Sequence, residues 1–151
     1  KEMVTIVDPH IKVSESYPVY SSGVESNVFV KQLDYRQPEP TSKIFEGYCW
    51  PGLSAWPDFV NSKVREWWGL WFNPDDLNDN FYTWNDMNEP SVFDVPEKTM
   101  YRDLMHLGGI EHRDVHNIHG LQVLQWTIVD TATISDWHPS KANVYTASQA
   151  N

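Results

Sequence analysis

Length, composition and charge restrict this chain to a few classes of protein. Its 151 residues are 40% hydrophobic, which is enough for one domain with a sizeable core and argues against wholesale disorder. With 11 basic and 21 acidic residues the net charge is −10, so we expect no nucleic-acid partner. No apolar run approaches the roughly 18 residues of a membrane helix, so we expect no membrane insertion.

The first part of the chain predicts strands joined by irregular connections. Met3–Val7 is β-branched and apolar, which predicts a strand with Asp8 at its carboxyl end. Residues 17–26 contain serine, proline and glycine and predict a connection, whereas residues 28–30 predict a second, shorter strand. Two prolines within residues 37–42 predict a loop.

Residues 45–52 contain the first candidate for ligand binding, Trp50. The segment is aromatic and ends in a proline and a glycine, which predicts a strand followed by a turn. Trp50 is then either a packing residue near this turn or a ring presented at a strand end, where α/β proteins usually bind ligands.

Residues 57–72 give the clearest helix. Their apolar side chains recur at intervals of three and four and form one stripe: Val60, Val64, Trp67, Trp68 and Trp71. Asn61 or Asp58 is the candidate N-cap of this helix. The periodicity favours packing of the tryptophans against the rest of the fold over a role in ligand binding.

The most informative stretch is residues 81–90, FYTWNDMNEP. After a polar loop over residues 73–80, residues 81–84 predict a short aromatic strand, and polar side chains crowd its end. Two of them, Asp86 and Glu89, are carboxylates, which are costly to place there without a use. They are typical of a site that holds and attacks a sugar or another polar ligand, and the residues alone favour neither as the attacking group.

The last third of the chain predicts a turn at the glycine pair 108–109, followed by a helix start. Residues 111–120 contain three histidines, two of which lie four apart, as two metal ligands on one helix face would. Arg113 stands where a zinc-protease helix requires glutamate, and no third ligand is placed, so we expect no metal site. The alternative is an ordinary helix start, with Asp114 as its cap and with Arg113 and Glu111 paired with neighbours.

The order of these elements indicates the fold class. Strands that alternate with helical segments are typical of an α/β protein with a parallel sheet or barrel. Active residues in a barrel lie where strands end and loops begin, so we expect Asp8, Trp50 and Asp86 on the same side of the fold.

Five segments together resemble glycoside hydrolase family 31. WNDMNEPSVF at residues 84–93 is similar to the nucleophile signature of that family. The other segments agree with the family pattern in order and spacing: IVDPHIKV at 6–13, GYCWPG at 47–52, PEKTM at 96–100 and EHRDVHNIHG at 111–120. The resemblance covers residues 3–121.

This resemblance implies a fold, a reaction and a set of site residues. The fold is a (β/α)8 TIM barrel, and the chain is similar to a middle portion of it. The reaction is that of a retaining α-glucosidase, which uses two carboxyl groups roughly 5–5.5 Å apart, one as nucleophile and one as acid/base. Asp86 matches the nucleophile, and Trp50, Trp84 and Met87 match residues that line the glucose pocket. No cofactor is implied.

Within the family, the pattern looks most like the catalytic α subunits of enzymes that trim glucose from N-linked oligosaccharides. This implies an oligosaccharide or α-glucoside substrate, a non-catalytic β subunit as partner, and the lumen of the endoplasmic reticulum as location. A family 31 enzyme that acts on another α-glycoside is the alternative within the family.

Three features of the chain depart from the family pattern. The acid/base aspartate of the family follows the EHRDVHN motif, but no segment here resembles it, and Asp130 and Asp136 stand in different contexts. Beyond residue 121 the sequence leaves the pattern, and residues 126–134 predict a strand instead of a continued helix. The first ten residues do not resemble a secretory signal, because their apolar run is short and contains charges, and we expect them to belong to the inside of the barrel.

These departures predict a fragment of the family barrel over residues 1–121 and a divergent tail over residues 122–151. Because half of the carboxylate pair is missing, we expect no hydrolysis by the chain alone. The alternative from a different functional class is a truncated, non-catalytic sugar-binding or decoy protein.

Overall fold

The computed structural model describes residues 3–34, 41–72 and 81–132. Within these ranges there are nine short strands and three helices. The strands are β1 (Met3–Val7), β2 (Ile11–Lys12), β3 (Lys31–Asp34), β4 (Thr41–Ile44), β5 (Glu46–Cys49), β6 (Gly52–Ala55), β7 (Phe81–Asn85), β8 (Met105–His106) and β9 (Ile110–Glu111). The helices are α1 (Pro18–Glu25), α2 (Ser62–Gly69) and α3 (His112–Ala132). None of these described helices has both the length and the hydropathy needed to cross a bilayer.

Strands β1 and β7 form a two-stranded parallel sheet that positions the candidate site. Their register runs from Met3 opposite Phe81 to Val7 opposite Asn85. Both segments are rich in β-branched and aromatic residues, and both predicted strands are confirmed. Because parallel neighbours need a long crossover, other strands and α2 lie between them in the chain.

The remaining strands form two antiparallel sheets. One has the order β2-β6-β5 and the other the order β4-β3-β8-β9. Between β5 and β6 the chain turns at Trp50 and Pro51 and enters Gly52 at φ 99°, a backbone conformation that favours glycine. The strand and turn predicted for residues 45–52 are therefore confirmed, as is the turn at residues 108–109, which joins β8 to β9.

Helix α2 is shorter than the predicted helix over residues 57–72. Asn61 is its N-cap, because its side-chain oxygen accepts a hydrogen bond from the Lys63 backbone N–H at 2.9 Å. At the other end, Leu70–Phe72 tightens into a 3-10 turn. One of the two predicted caps is therefore confirmed, and Asp58 serves a different purpose, described below.

Two tryptophans of α2 belong to the main hydrophobic core, as their spacing predicts. Trp67 and Trp68 are buried, whereas Trp71, in the 3-10 turn, is 40% exposed. Helix α3 packs on the same core, where Trp68 Nε1 donates to Thr127 Oγ1 at 3.2 Å. The other buried members of this cluster are Ile11, Val28, Phe29, Ala55, Phe59, Val64, Phe72 and Val123.

Two predictions for the first part of the chain are wrong. Residues 17–26 contain helix α1 instead of an irregular connection, because Pro18 occupies the first turn, where a backbone N–H has no helical partner. Residues 28–30 make only an isolated bridge at Phe29, and the strand begins afterwards at Lys31.

Helix α3 corrects two further predictions. It continues through residues 126–132, which are therefore helical and not a strand. Asp114 does not cap the helix, because α3 already begins at His112 and Asp114 lies in its first turn, where a negative charge suits the helix dipole. Arg113 and Glu111 were predicted to pair with neighbours, and they pair with each other, with Nε and Oε2 2.6 Å apart.

Parts of three predictions lie outside the described residues. Of the loop predicted for residues 37–42, the last two belong to β4, and the rest are not described. The loop predicted for residues 73–80 and the tail beyond residue 132 are also outside the described ranges.

Candidate active site

The carboxyl ends of β1 and β7 bring two carboxylates to one edge of the sheet. Val7 lies opposite Asn85 in the parallel register, so Asp8 and Asp86 follow adjacent strand ends. The Asp86 backbone N–H donates to the Val7 carbonyl oxygen at 3.3 Å, which extends the pairing to the first residue after β7. This is the edge at which parallel α/β proteins bind and transform ligands.

The loop that begins at Asp86 has a strained backbone. Asp86 is half-buried, and its Oδ1 accepts a hydrogen bond from the Met87 backbone N–H at 2.9 Å. Met87 adopts φ 61°, a left-handed conformation that costs a non-glycine residue on the order of 1 kcal/mol or more. Met87 also packs against a buried cluster that includes Trp56 and Val92, and this contact helps to hold the strained conformation.

Negative charge accumulates at this edge. Burial raises the pKa of Asp8, and the charges of Asp86 and Glu89 raise it further. Burial also lowers the pKa of His10 to about 4, so the imidazole is neutral at pH 7. The 3.6 Å contact between His10 Nε2 and Asp8 Oδ2 is therefore not an ion pair at that pH and leaves the charge of the edge uncompensated.

Trp50 is presented at the tip of the β5–β6 hairpin. Its side chain is 69% exposed, and the ring of Phe93 meets it edge-on with 4.7 Å between centroids. The Phe93 backbone N–H donates to the Tyr48 carbonyl at 2.8 Å, so the loop after β7 is tied to this hairpin. An exposed indole held in this way offers a flat apolar surface to a ligand.

A cleft of about 640 Å³ joins Trp50 to the end of β1. Asp8, His10 and Tyr17 supply its titratable lining, and the remaining lining is aliphatic or aromatic. Ile6 also lines the cleft and lies opposite Trp84, so these two side chains share one face of the β1–β7 sheet. Three predicted site residues, Trp84, Asp86 and Met87, are beside the cleft but not among the residues that line it.

Helix α3 packs directly behind the Asp86 loop, and the sequence interpretation missed this contact. A Cβ atom on Gly120 would lie 2.8 Å from the Asn88 carbonyl oxygen, so only glycine permits this approach. The neighbouring His119 is fully buried, and burial lowers its pKa to about 3, with a further contribution from nearby histidines. A glycine inside a helical stretch is the signal that could have indicated such a close approach.

The second carboxyl group that a retaining glycosidase needs is not identified by this geometry. Glu89 is exposed, and its Oε2 accepts a hydrogen bond from Ser91 Oγ at 2.6 Å. Asp136 lies outside the described residues, and Asp130 belongs to α3. Among the residues that the structure describes, no group of three histidine, cysteine, aspartate or glutamate side chains is arranged to hold a metal ion.

Comparison with known proteins places these features in a family. The family described as the TIM-barrel domain of glycosyl hydrolases family 31 matches residues 1–146. Neutral alpha-glucosidase AB of Sus scrofa is 48% identical over 126 residues, which are 82% of this chain and 13% of that protein. The chain therefore spans about 13% of the length of this curated relative.

Solved structures give the same result. The crystal structure of a glucosidase II alpha subunit, in an alpha3-Glc2-bound form, matches with a TM-score of 0.79 and 40% identity, over 93% of this chain and 14% of that one. The catalytic subunit in a heterodimeric ER glucosidase II, crystallised with the binding domain of its regulatory subunit, matches with a TM-score of 0.76 and 40% identity, over 93% and 15%. The resemblance found in the sequence is thus confirmed, and the α/β class is confirmed as part of a TIM-barrel domain.

Proposed function

Since the chain belongs to glycosyl hydrolase family 31, we propose that it is a middle portion of the catalytic barrel of a retaining α-glucosidase. The proposed reaction is hydrolysis of the O-glycosyl bond of a terminal α-linked glucose. The observation that carries the proposal is the position of Asp86 within the family signature, at the carboxyl end of β7 and beside the end of β1.

Asp86 acts as the nucleophile in this proposal. It attacks the anomeric carbon and forms a glycosyl-enzyme ester, while the leaving oxygen takes a proton from the acid/base. The hydrogen bond from the Met87 backbone N–H to Oδ1 holds the carboxylate in position for this attack.

Trp50, Trp84 and Met87 bind the glucose unit in the same proposal. The exposed Trp50 ring packs on the apolar C–H face of the sugar, and the carboxylates of the edge accept hydrogen bonds from its hydroxyls. Trp84 and Met87 lie on either side of Asp86 in the chain, at the same edge of the β1–β7 sheet. No cofactor takes part, because both steps are carboxylate chemistry.

The acid/base is supplied by a part of the barrel that does not resemble any segment of this chain. The chain alone is therefore proposed to be inactive, with residues 1–121 as the barrel portion and residues 122–151 as a divergent tail. Helix α3 runs across that boundary, and the boundary itself stays a prediction.

The similarity to glucosidase II supports a more specific proposal for substrate, partner and location. The substrate is the glucose-capped oligosaccharide of N-linked glycoproteins, and the location is the lumen of the endoplasmic reticulum. Since the related catalytic subunit crystallises with the binding domain of a regulatory subunit, a non-catalytic β subunit is the proposed partner. The exposure of Trp50 also suits the second candidate function, sugar binding without turnover.

Asp86→Asn tests the proposal in the complete polypeptide, which here means the full-length enzyme of which this chain is proposed to be a portion. Turnover of an aryl α-glucoside is expected to fall by at least about 10⁴-fold, since an amide cannot form the ester intermediate. Asp103→Asn, at an exposed acid away from this edge, is the control and should keep normal turnover. Near-normal activity of Asp86→Asn would remove Asp86 from its role, and glucose binding without any turnover by the unaltered protein would favour the second candidate.

A further inference from the structure

Four side chains behind the Asp86 loop form one hydrogen-bonded chain. Asp58 Oδ1 lies 2.5 Å from His106 Nδ1, and His106 Nε2 lies 3.0 Å from His112 Nδ1. His112 Nε2 in turn lies 2.9 Å from His116 Nδ1. The first three residues are buried and His116 is half-buried, so the chain leads from the interior towards solvent.

The partners of Asp58 set the direction of each hydrogen bond in the neutral form of this chain. Besides His106, Asp58 accepts backbone N–H groups from Val60 on Oδ1 at 3.2 Å and from Leu107 on Oδ2 at 2.5 Å, so both of its oxygens act as acceptors. A carboxylate only accepts, so His106 donates from Nδ1, and in its neutral form it accepts at Nε2. The same argument makes His112 a donor at Nδ1 and an acceptor at Nε2. In this neutral form of the chain, His116 donates from Nδ1.

The surroundings of the chain keep its middle uncharged. Burial lowers the pKa of His112 to about 4, and His106 and His116 lower it further, while Asp58 acts in the opposite direction. His119 packs 6.0 Å from His112 between ring centroids and is itself neutral at pH 7.

Two arginines on the packed elements have partners of their own. On α2, Arg65 donates to the carbonyls of Phe59 and Val60 and to Gln122 of α3. At the start of α3, Arg113 pairs with Glu111 at the surface.

The histidine chain anchors the part of α3 that touches the Asp86 loop. His112 and His116 lie in the first two turns of α3, and His106 belongs to β8. One turn further along α3, Gly120 meets the backbone of Asn88 in the Asp86 loop. A shift of α3 relative to β8 would therefore move the segment that follows the nucleophile.

We propose that Asp58, His106, His112 and His116 form a proton relay that positions α3 against the Asp86 loop and takes up one proton from solvent without losing a hydrogen bond. These four are positioning residues, since they act through α3 and not on the sugar. The inference rests on the proposed function where kcat is measured, but not where the thermal midpoint is measured.

The proton balance of the relay is simple. A proton from solvent binds His116 Nε2, the His116 Nδ1 proton passes to His112 Nε2, and the His112 Nδ1 proton passes to His106 Nε2. Three N–H bonds form and two break, so the net change is one added proton. The charge ends on His106, beside the carboxylate of Asp58. Both histidine–histidine hydrogen bonds persist with donor and acceptor exchanged, and the hydrogen bond from His106 to Asp58 keeps its direction.

The variants His106→Gln and His112→Gln test this relay, and they keep the hydrogen bonds of its neutral form. A glutamine keeps one amide donor and one carbonyl acceptor, so it can replace the neutral imidazole, but it cannot take up a proton. At pH 7.5 both variants of the complete polypeptide should match the unaltered protein in kcat, KM and thermal midpoint. Between pH 7.5 and 5.5, kcat should fall about tenfold further than in the unaltered protein, with KM little changed, because the added charge then stops before it reaches the Asp58 carboxylate. A factor of ten corresponds to a shift of about one unit in the pKa of proton uptake by the chain.

Asp103→Asn is the matched control and should follow the unaltered protein at every pH. The relay is overturned if either glutamine variant shows the same pH profile as this control, if only one of them becomes acid-sensitive, or if neither folds at pH 7.5. If Asp86→Asn keeps its turnover, the proposed function fails separately. In that case the thermal midpoint, measured as a function of pH, tests the relay by the same three criteria, because this measurement does not depend on catalysis.

Discussion

The edge formed by β1 and β7 and the interface between β8 and α3 differ in how they surround a carboxylate. At the edge, Asp8 has a raised pKa, and its Oδ1 has no hydrogen-bond partner among the described residues. At the interface, Asp58 has three donors for its two oxygens. Unsatisfied groups are costly in a scaffold but are suited to a ligand, which can supply the missing hydrogen bonds.

Two tryptophan substitutions test this contrast, and Trp68→Ala should have the larger effect on stability. Trp68 is 3% exposed and packs on Phe59, so truncation leaves a cavity in the core. The free energy of unfolding should fall by about 3–5 kcal/mol, measured by urea denaturation of the complete polypeptide. A loss below about 1 kcal/mol would contradict a scaffold role.

Gly120→Ala should have the next largest effect, because it forces α3 away from the Asp86 loop. The added methyl group would lie 2.8 Å from the Asn88 carbonyl oxygen, where backbone must move. We expect a loss of about 1–3 kcal/mol in unfolding free energy and a lower kcat for an aryl α-glucoside. Leu121→Ala, at the exposed next position, is the control. Equal behaviour of the two variants would show that the close approach is not required.

Trp50→Ala should leave stability unchanged and weaken substrate binding. Its side chain is 69% exposed, so little burial is lost, but a sugar-stacking surface disappears. KM for the glucoside should rise about tenfold, with Trp50→Phe intermediate. An unchanged KM in Trp50→Ala would remove this residue from the proposed pocket.

The pH dependence of stability should follow the buried histidines. The pKa values of His10, His112 and His119 are lowered in the folded state, so the unfolded chain binds more protons once the pH falls below about 6.5. Their stabilising contribution is complete above that pH and decreases towards pH 4. Asp8 opposes this trend, because its pKa is raised. A urea midpoint that stays constant or rises between pH 7.5 and 5 would contradict this assignment.

The two regions also differ in how far the sequence predicts them. The strands β1 and β7, the hairpin turn at Trp50 and the aspartates of the edge follow from local composition and from the family signature. The relay does not, because Asp58 and His106 are 48 positions apart and no local pattern links them. Because only local sequence was considered, Asp58 was interpreted as a candidate helix cap. Helix α1 was missed because serine and glycine obscure its short helical pattern.

The most direct test of the central claim is to trap the glycosyl-enzyme ester on the complete polypeptide with a fluorinated α-glucosyl fluoride that slows its hydrolysis. Fragmentation of the labelled peptide by mass spectrometry separates Asp86 from Glu89, the two carboxylates that the residues alone left equal. We predict one added fluoroglucosyl group, on Asp86. A label on Glu89, or no label on the peptide that contains both residues in an enzyme that turns over the substrate, would contradict the account.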